Sequence, residues 1–132
     1  MLEKICTDLE TSKKLRELGF NDSESEFVYW EGKPNYYHNL PLYKINNNYN
    51  IILITCYTLE QILKELPKSF NSGALRYNLN FDYTEECIEY KWISDEPYTE
   101  DKILIWELRD IADNFATTAA KLWIQLKNYE II

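Results

Sequence analysis

One histidine, His38, three cysteines, Cys6, Cys56 and Cys87, and two acidic clusters are the side chains that could do chemistry in this 132-residue chain. Nucleophilic catalysis needs a serine or cysteine activated by a base. Ser23, Ser25, Ser69 and Ser72 lie in polar stretches without a G-x-S-x-G elbow, no cysteine falls in a protease signature, and His38 has no partner at a recognisable spacing. The cysteines are far apart and one histidine is available, so no zinc ligand set can be written. Carboxylates gather at Glu85, Glu86 and Glu89 and again at Asp95, Glu96, Glu100 and Asp101. Two of these could serve as general acid and base or hold a divalent cation, but neither group follows an EF-hand loop, and solvated turns account for both. With glycine only at Gly19, Gly32 and Gly73, neither a phosphate loop nor a dinucleotide fingerprint fits. The expectation is a protein that is not an enzyme and carries no cofactor or metal, with chemistry by the loop carboxylates as the remote alternative.

Recognition has a better candidate. The stretch "YWEGKPNYYHNLPLY", Tyr29 to Tyr43, concentrates aromatic rings around His38. Base stacking on such rings contributes roughly 1–3 kcal/mol per base. A strand, however, sends alternate side chains to opposite faces, so Tyr29 and Trp30 cannot line one surface, nor can Tyr36 and Tyr37 within a strand. Most of the rings are therefore expected to build the sheet, with any binding confined to whichever of Trp30, Tyr36, Tyr37, His38 and Tyr43 face outward.

The formal charge of −8, from 22 acidic against 14 basic residues, sets a mean field that repels phosphate backbones and anionic lipids. Duplex nucleic acid and membrane are excluded as expected partners, and imitation of DNA is disfavoured because lysines and arginines interrupt most acidic runs. An odd cysteine count and the lack of an apolar signal segment after Met1 point to a reducing cytoplasm, with the thiols acting as small hydrophobes. The longest apolar runs, Ile51 to Ile54 and Ile103 to Trp106, are too short to span a bilayer. At 45% hydrophobic and 15% aromatic, the composition is that of a folded chain, and the length suits one domain over residues 1–132.

The elements that must position these residues follow from caps and periodicity. Thr7-Asp8-Leu9-Glu10 has the form of a capping box with Thr7 as the cap, opening a helix that ends at about Leu18 before Gly19. Phe27 to Trp30 reads as a strand, Gly32 to Asn35 as a turn, and Tyr36 to Lys44 as the returning strand, with Pro41 at an edge or bulge. Ile51 to Thr55 favours a strand. A second capping box, Thr58-Leu59-Glu60-Gln61, opens a short helix that Pro67 stops. Leu75 to Tyr83 alternates apolar and polar residues without an error. Cys87 to Ile93 continues that pattern, with Ile88, Tyr90 and Trp92 on one face and Glu89 and Lys91 on the other. Ser94 to Asp101 reads as an exposed connection and Lys102 to Leu108 as the third strand of a meander. In "NFATTAAKLWIQLKN", Phe115, Ala119, Leu122, Trp123 and Leu126 form an apolar stripe, and Thr117, Lys121, Gln125 and Asn128 occupy the supposed solvent side. Asp113 or Asn114 supplies its cap. The fold class is α+β: an antiparallel sheet of about four to six strands with an N-terminal helix, a short central helix and a C-terminal amphipathic helix packed on it.

Three of these pieces, "KICTDLETSKKLRELGF", "YTLEQILKELPK" and "ATTAAKLWIQLKN", resemble a family of small uncharacterised proteins encoded by bacteriophages, prophages and low-GC bacteria, in which a closing helix like "ADNPADALAKLWIWLKENG" recurs. This chain departs from that pattern at "ADNFATTAAKLW", where Phe115 and two threonines replace proline, aspartate and leucine. The resemblance implies a cytoplasmic phage or prophage accessory protein and no catalytic residues. Function is accordingly expected through a protein partner or self-association, with capture of a small nucleotide-like molecule as the alternative. That alternative would set Tyr36, His38 or Trp30 beside a cation such as Lys33, Lys44 or Arg76.

Overall fold

The computed structural model describes residues 2–23, 25–41, 53–72, 75–82, 84, 86–93, 100–107 and 114–132. A 3-10 turn at Leu2–Lys4 precedes helix α1, Leu9–Glu17. Strands β1, Phe27–Trp30, and β2, Lys33–Tyr36, form a hairpin that runs into a second 3-10 turn, Tyr37–Asn39. Strand β3, Ile54–Cys56, leads to helix α2, Leu59–Glu65. Strands β4, Ser69–Ser72, β5, Leu75–Asp82, β6, Cys87–Ile93, and β7, Glu100–Glu107, precede helix α3, Phe115–Asn128. The α+β class stands, with its three helices placed as anticipated. The strands divide into two antiparallel sheets, ordered β2-β1-β3 and β4-β5-β6-β7.

Local chemistry explains most of these boundaries. Thr58 accepts from the Gln61 main-chain N–H at 3.4 Å while Gln61 Oε1 accepts from the Thr58 N–H at 2.9 Å, a complete capping box. Helix α1 is capped by Asp8, not Thr7: its carboxylate accepts from the Thr11 N–H at 2.8 Å. Thr7 is taken up by tertiary contacts, its N–H donating to the Tyr57 carbonyl at 2.9 Å and its hydroxyl accepting from the Tyr57 N–H at 3.2 Å. The β1–β2 connection is also shorter than the sequence reading. Glu31 and Gly32 both take positive φ, 52° and 81°, forming a two-residue turn that matches strand twist, so the chain pairs again at Lys33 and β2 ends at Tyr36. Pro34 consequently lies in an edge strand, where a missing N–H costs no ladder bond. The rest of the expected returning strand, residues 42–44, and residues 94–99 of the expected exposed connection lie outside the described residues; β7 already begins at Glu100.

A core cluster joins Leu15 of α1, Ile62 of α2, Tyr77, Ile88 and Tyr90 of the larger sheet, and Leu122 and Leu126 of α3. Phe20 sets its ring edge-on to both Tyr57, at 4.7 Å, and Trp123, at 4.9 Å. The alternation of β5 and β6 delivers Leu79, Phe81, Ile88 and Tyr90 to the face that meets α3. Helix α3 packs against β6, β7, α1 and α2 together, and this overturns the expected one-sided burial. Thr117 and Thr118 are both fully buried. Thr117 Oγ1 accepts from the Asp8 N–H at 3.0 Å, and Thr118 Oγ1 donates to the Asn114 carbonyl at 2.9 Å.

Replacing Thr117 with valine keeps the shape and strips the Asp8 N–H of its acceptor. Urea denaturation of Thr117→Val should therefore show a loss of about 1–3 kcal/mol. At exposed Asn128 the change to alanine should stay within about 0.5 kcal/mol. Equal effects at the two positions would contradict the buried role of Thr117.

Candidate functional site

The tight turn at Glu31–Gly32 sets Phe27 opposite Tyr36, while the pairing of β1 with β3 sets Phe27 opposite Cys56. Directly opposed residues share a face, so Cys56, Phe27 and Tyr36 form one cross-strand row. The Phe27 and Tyr36 rings lie 4.7 Å apart at 46°, and the His38 ring follows Tyr36 at 5.3 Å and 48°. Cys56 closes the inner end of this row and is fully buried; His38, at the outer end, is exposed, and Tyr36 is 37% exposed. Tyr37 stands beside the row, 46% exposed, its N–H donating to the carbonyl of exposed Glu26 at 2.8 Å.

Of the five residues singled out in the aromatic stretch, the fold thus brings Tyr36 and His38 into contact and leaves Tyr37 adjacent. Trp30 is half-buried on the opposite face of the hairpin, with Val28, and Tyr43 lies outside the described residues. Sequence pattern marks Phe27 only as a strand former. Recognising Glu31-Gly32 as the turn would have paired it with Tyr36. Tyr29, on the same face as Phe27, turns inward and donates its hydroxyl to the Thr7 carbonyl at 2.8 Å.

These rings already touch, so no slot exists between them for a planar base. The cations proposed to accompany a nucleotide are also scattered: Lys33 pairs in register with Trp30, Arg76 donates to Ser69 Oγ at 2.9 Å in the other sheet, and Lys44 lies outside the described residues. A cleft of about 350 Å³ between α1 and α3 does carry Glu10 and Lys14 from α1 and Lys121 from α3, and it includes Gln125, whose buried Oε1 has no hydrogen-bond partner. None of its lining residues is aromatic, so it offers a base nothing to stack on.

A second arrangement was not legible as a site. Glu89, assigned to a solvated cluster, is fully buried on the face of β6 opposite Ile88 and Tyr90. Its Oε1 lies 3.1 Å from Lys91 Nζ and accepts from Asn80 Nδ2 at 3.2 Å, while its Oε2 accepts from the Cys87 thiol at 3.6 Å. Thiol, carboxylate and ammonium in one line suggest a nucleophile with its base, yet Cys87 is only 1% exposed and a substrate could not reach it. The cluster compensates a buried charge and ties β5 to β6.

Burial also sets the tyrosine chemistry. The Tyr57 hydroxyl is pushed up from 10.0 to about 12, chiefly by burial and further by the Asp22 charge. Burial raises the Tyr90 hydroxyl as well, and it donates to the Pro67 carbonyl at 2.6 Å. The neighbouring Cys56 holds the Cys6 thiol below its ordinary value against the opposing effect of burial, while Cys6 raises the Cys56 thiol, which burial raises further.

Among the described residues, no group of three or more histidine, cysteine or acidic side chains is placed to hold a metal ion, and no helix is long and apolar enough to cross a membrane. No protein-family model, no curated protein and no solved structure matches this chain.

Two outcomes follow from the buried groups. Lys91→Met, which removes the ammonium beside Glu89, should cost about 3 kcal/mol in chemical denaturation. Adding Glu89→Met should recover part of that loss, and a double variant no more stable than Lys91→Met would refute the ion-pair account. For Tyr57, the folded chain keeps the proton that the unfolded chain loses, so its contribution is complete below pH 10 and disappears as pH rises through about 12. The gap corresponds to roughly 2–3 kcal/mol. Tyr57→Phe should thus lose less stability than wild type between these limits in thermal melts followed by circular dichroism.

Proposed function

We propose that this chain is a non-enzymatic binding protein that docks a protein partner on the ring-bearing end of the β1–β2 hairpin, and that it works in the cytoplasm as a phage or prophage accessory protein. The observation that supports the docking is the continuous row Phe27, Tyr36 and His38 reaching solvent beside Tyr37 and Glu26. Tyrosine is enriched where interfaces concentrate binding energy, because it buries a large rigid area and keeps a polar tip. Rings already in mutual contact offer one amphipathic surface to a facing protein and no cavity to a small molecule.

Charge narrows the partner. A chain of net charge −8 is drawn to a basic surface, and a guanidinium over an exposed tyrosine gains a cation–π contact. The partner is therefore a protein presenting arginine or lysine around an apolar centre. The resemblance of the capped central helix and the closing helix to phage and prophage proteins supports the setting. Three buried cysteines that form no disulfide fit a reducing compartment.

The test uses the tagged full chain and a Tyr36→Ala/His38→Ala variant as paired baits in lysate of the cells that carry the gene. Both changed side chains are exposed, so the variant should keep the wild-type circular dichroism spectrum. Wild type should retain a basic protein that the variant loses, with retention falling as salt is raised. Retention of nothing, or of the same proteins by both baits, would reject the reading.

A further inference from the structure

Two helical turns face each other across the cleft between α1 and α3. Glu10, Thr11 and Lys14 come from α1, and Lys121, Ile124 and Gln125 from α3, each set at the i, i+3 and i+4 spacing that puts side chains on one helix face. The cleft holds about 350 Å³, the size of a small-molecule site. Its polar groups are underused. Thr11 is only 5% exposed, and its hydroxyl opens onto the cleft with no hydrogen-bond partner among the described residues. Gln125 Oε1 is buried without a partner as well. Glutamate and lysine four positions apart commonly pair on a helix, yet no ion pair joins Glu10 to Lys14. Nearly all polar groups this far inside a protein are satisfied, so two unsatisfied ones on one cleft point to a partner supplied from outside.

We infer that this cleft is a binding site for a free acidic amino acid, L-glutamate or L-aspartate. The lining charges are the inverse of that ligand: two ammonium groups, Lys14 and Lys121, for its two carboxylates, and one carboxylate, Glu10, for its ammonium. An ammonium has three donors, so each lysine can serve a ligand carboxylate together with an acceptor of the protein. The Thr11 hydroxyl donates to the carboxylate that Lys14 holds, and a turn of the half-buried Gln125 side chain brings Oε1 to the ligand's ammonium. Ile124, also half-buried, lies under the methylene stem between the ligand's charged ends.

Glu10 is the residue that separates an amino acid from a plain dicarboxylic acid. Without an ammonium between them, its carboxylate and those of the ligand would be like charges side by side, which costs affinity. Glu10 and Lys14 are exposed, so their attraction for the ligand is screened by salt, whereas Thr11 and Gln125 act deeper in the cleft, where screening is weaker. The cleft shares no residue with the ring row, and the inference does not depend on whether that row docks a partner.

The experiment is isothermal titration calorimetry of the full chain at low salt, with L-glutamate, L-aspartate, L-glutamine and glutarate as titrants. L-Glutamate or L-aspartate should bind with a stoichiometry of one. L-Glutamine, which lacks the second carboxylate, and glutarate, which lacks the ammonium, should each bind more weakly by roughly tenfold or more. Thr11→Val keeps the shape and should weaken the acidic amino acid by roughly tenfold. Lys14→Gln should do the same at an exposed position, which keeps the test valid should Thr11→Val fail to fold. Glu10→Gln should narrow the preference for L-glutamate over glutarate, and Tyr36→Ala/His38→Ala should bind L-glutamate as wild type does. Absence of binding by both acidic amino acids, equal binding of all four titrants, or a Lys14→Gln variant that binds as tightly as wild type would overturn the inference.

Discussion

The starts of α1 and α3 hold one another, and the rest of the molecule is arranged around that lock. Asn114 caps α3 by accepting from the Thr117 N–H at 2.8 Å, and the same side chain donates from Nδ2 to the Cys6 carbonyl at 2.7 Å. Thr117 in turn accepts from the N–H of Asp8, the residue that caps α1. Helix starts carry N–H groups with no partner inside their own helix, and burying such groups without compensation costs more than the average hydrogen bond contributes. Here each helix start supplies partners at the other, so both can be buried together. A helix surrounded on several sides, as α3 is, can then keep two threonines inside without orphaned hydroxyls.

Whatever was local in origin was legible in the sequence. The Thr58 capping box, the stop before Pro67, and the alternation from Leu75 onward each depend on residues a few positions apart, and each lies where its pattern put it. What escaped depends on distant partners. Thr117 falls on the polar arc of an isolated helix, and only the arrival of α1 makes it interior. Thr7 and Asp8 are both acceptable caps, and the choice between them is made by Tyr57, fifty residues on, which claims the Thr7 hydroxyl. Strand β4, "SFNS", is too short and too polar to announce itself; it exists because β5 offers an unpaired edge. In sequence Glu89 looks like the exposed Glu86, and its burial shows only when Asn80 and Lys91 converge on it.

The candidate site shows the same division. Alternation correctly separated Tyr29 from Trp30, since these point to opposite faces whatever the register. Which rings would meet depended on the register itself, and that was fixed by two residues with positive φ, one of them a glutamate. A non-glycine residue in that region is uncommon, so a turn centred on Glu31 and Gly32 is harder to recognise than one at Gly-Lys-Pro-Asn, whose last three residues instead open β2. With the shorter turn, Phe27 enters the row and Trp30 leaves it.

The smaller sheet also cannot be self-sufficient. Its strands are three or four residues long, at the short end of the ordinary range, and one of them contains proline. Its stability must come from what lies across its inner face: the Tyr29 hydroxyl on the Thr7 carbonyl, the bridge from Cys6 to Thr58, and the Ser25 hydroxyl donating to the Cys56 carbonyl at 2.6 Å. All of these attach to residues 6–7 or 25 and 56, immediately behind the row that ends in Tyr36 and His38. The exposed rings are therefore held by the N-terminal segment more than by their own strands. A surface of this construction stays rigid only while that segment stays seated, which ties the order of the outermost rings to the same few residues that interlock the helix starts.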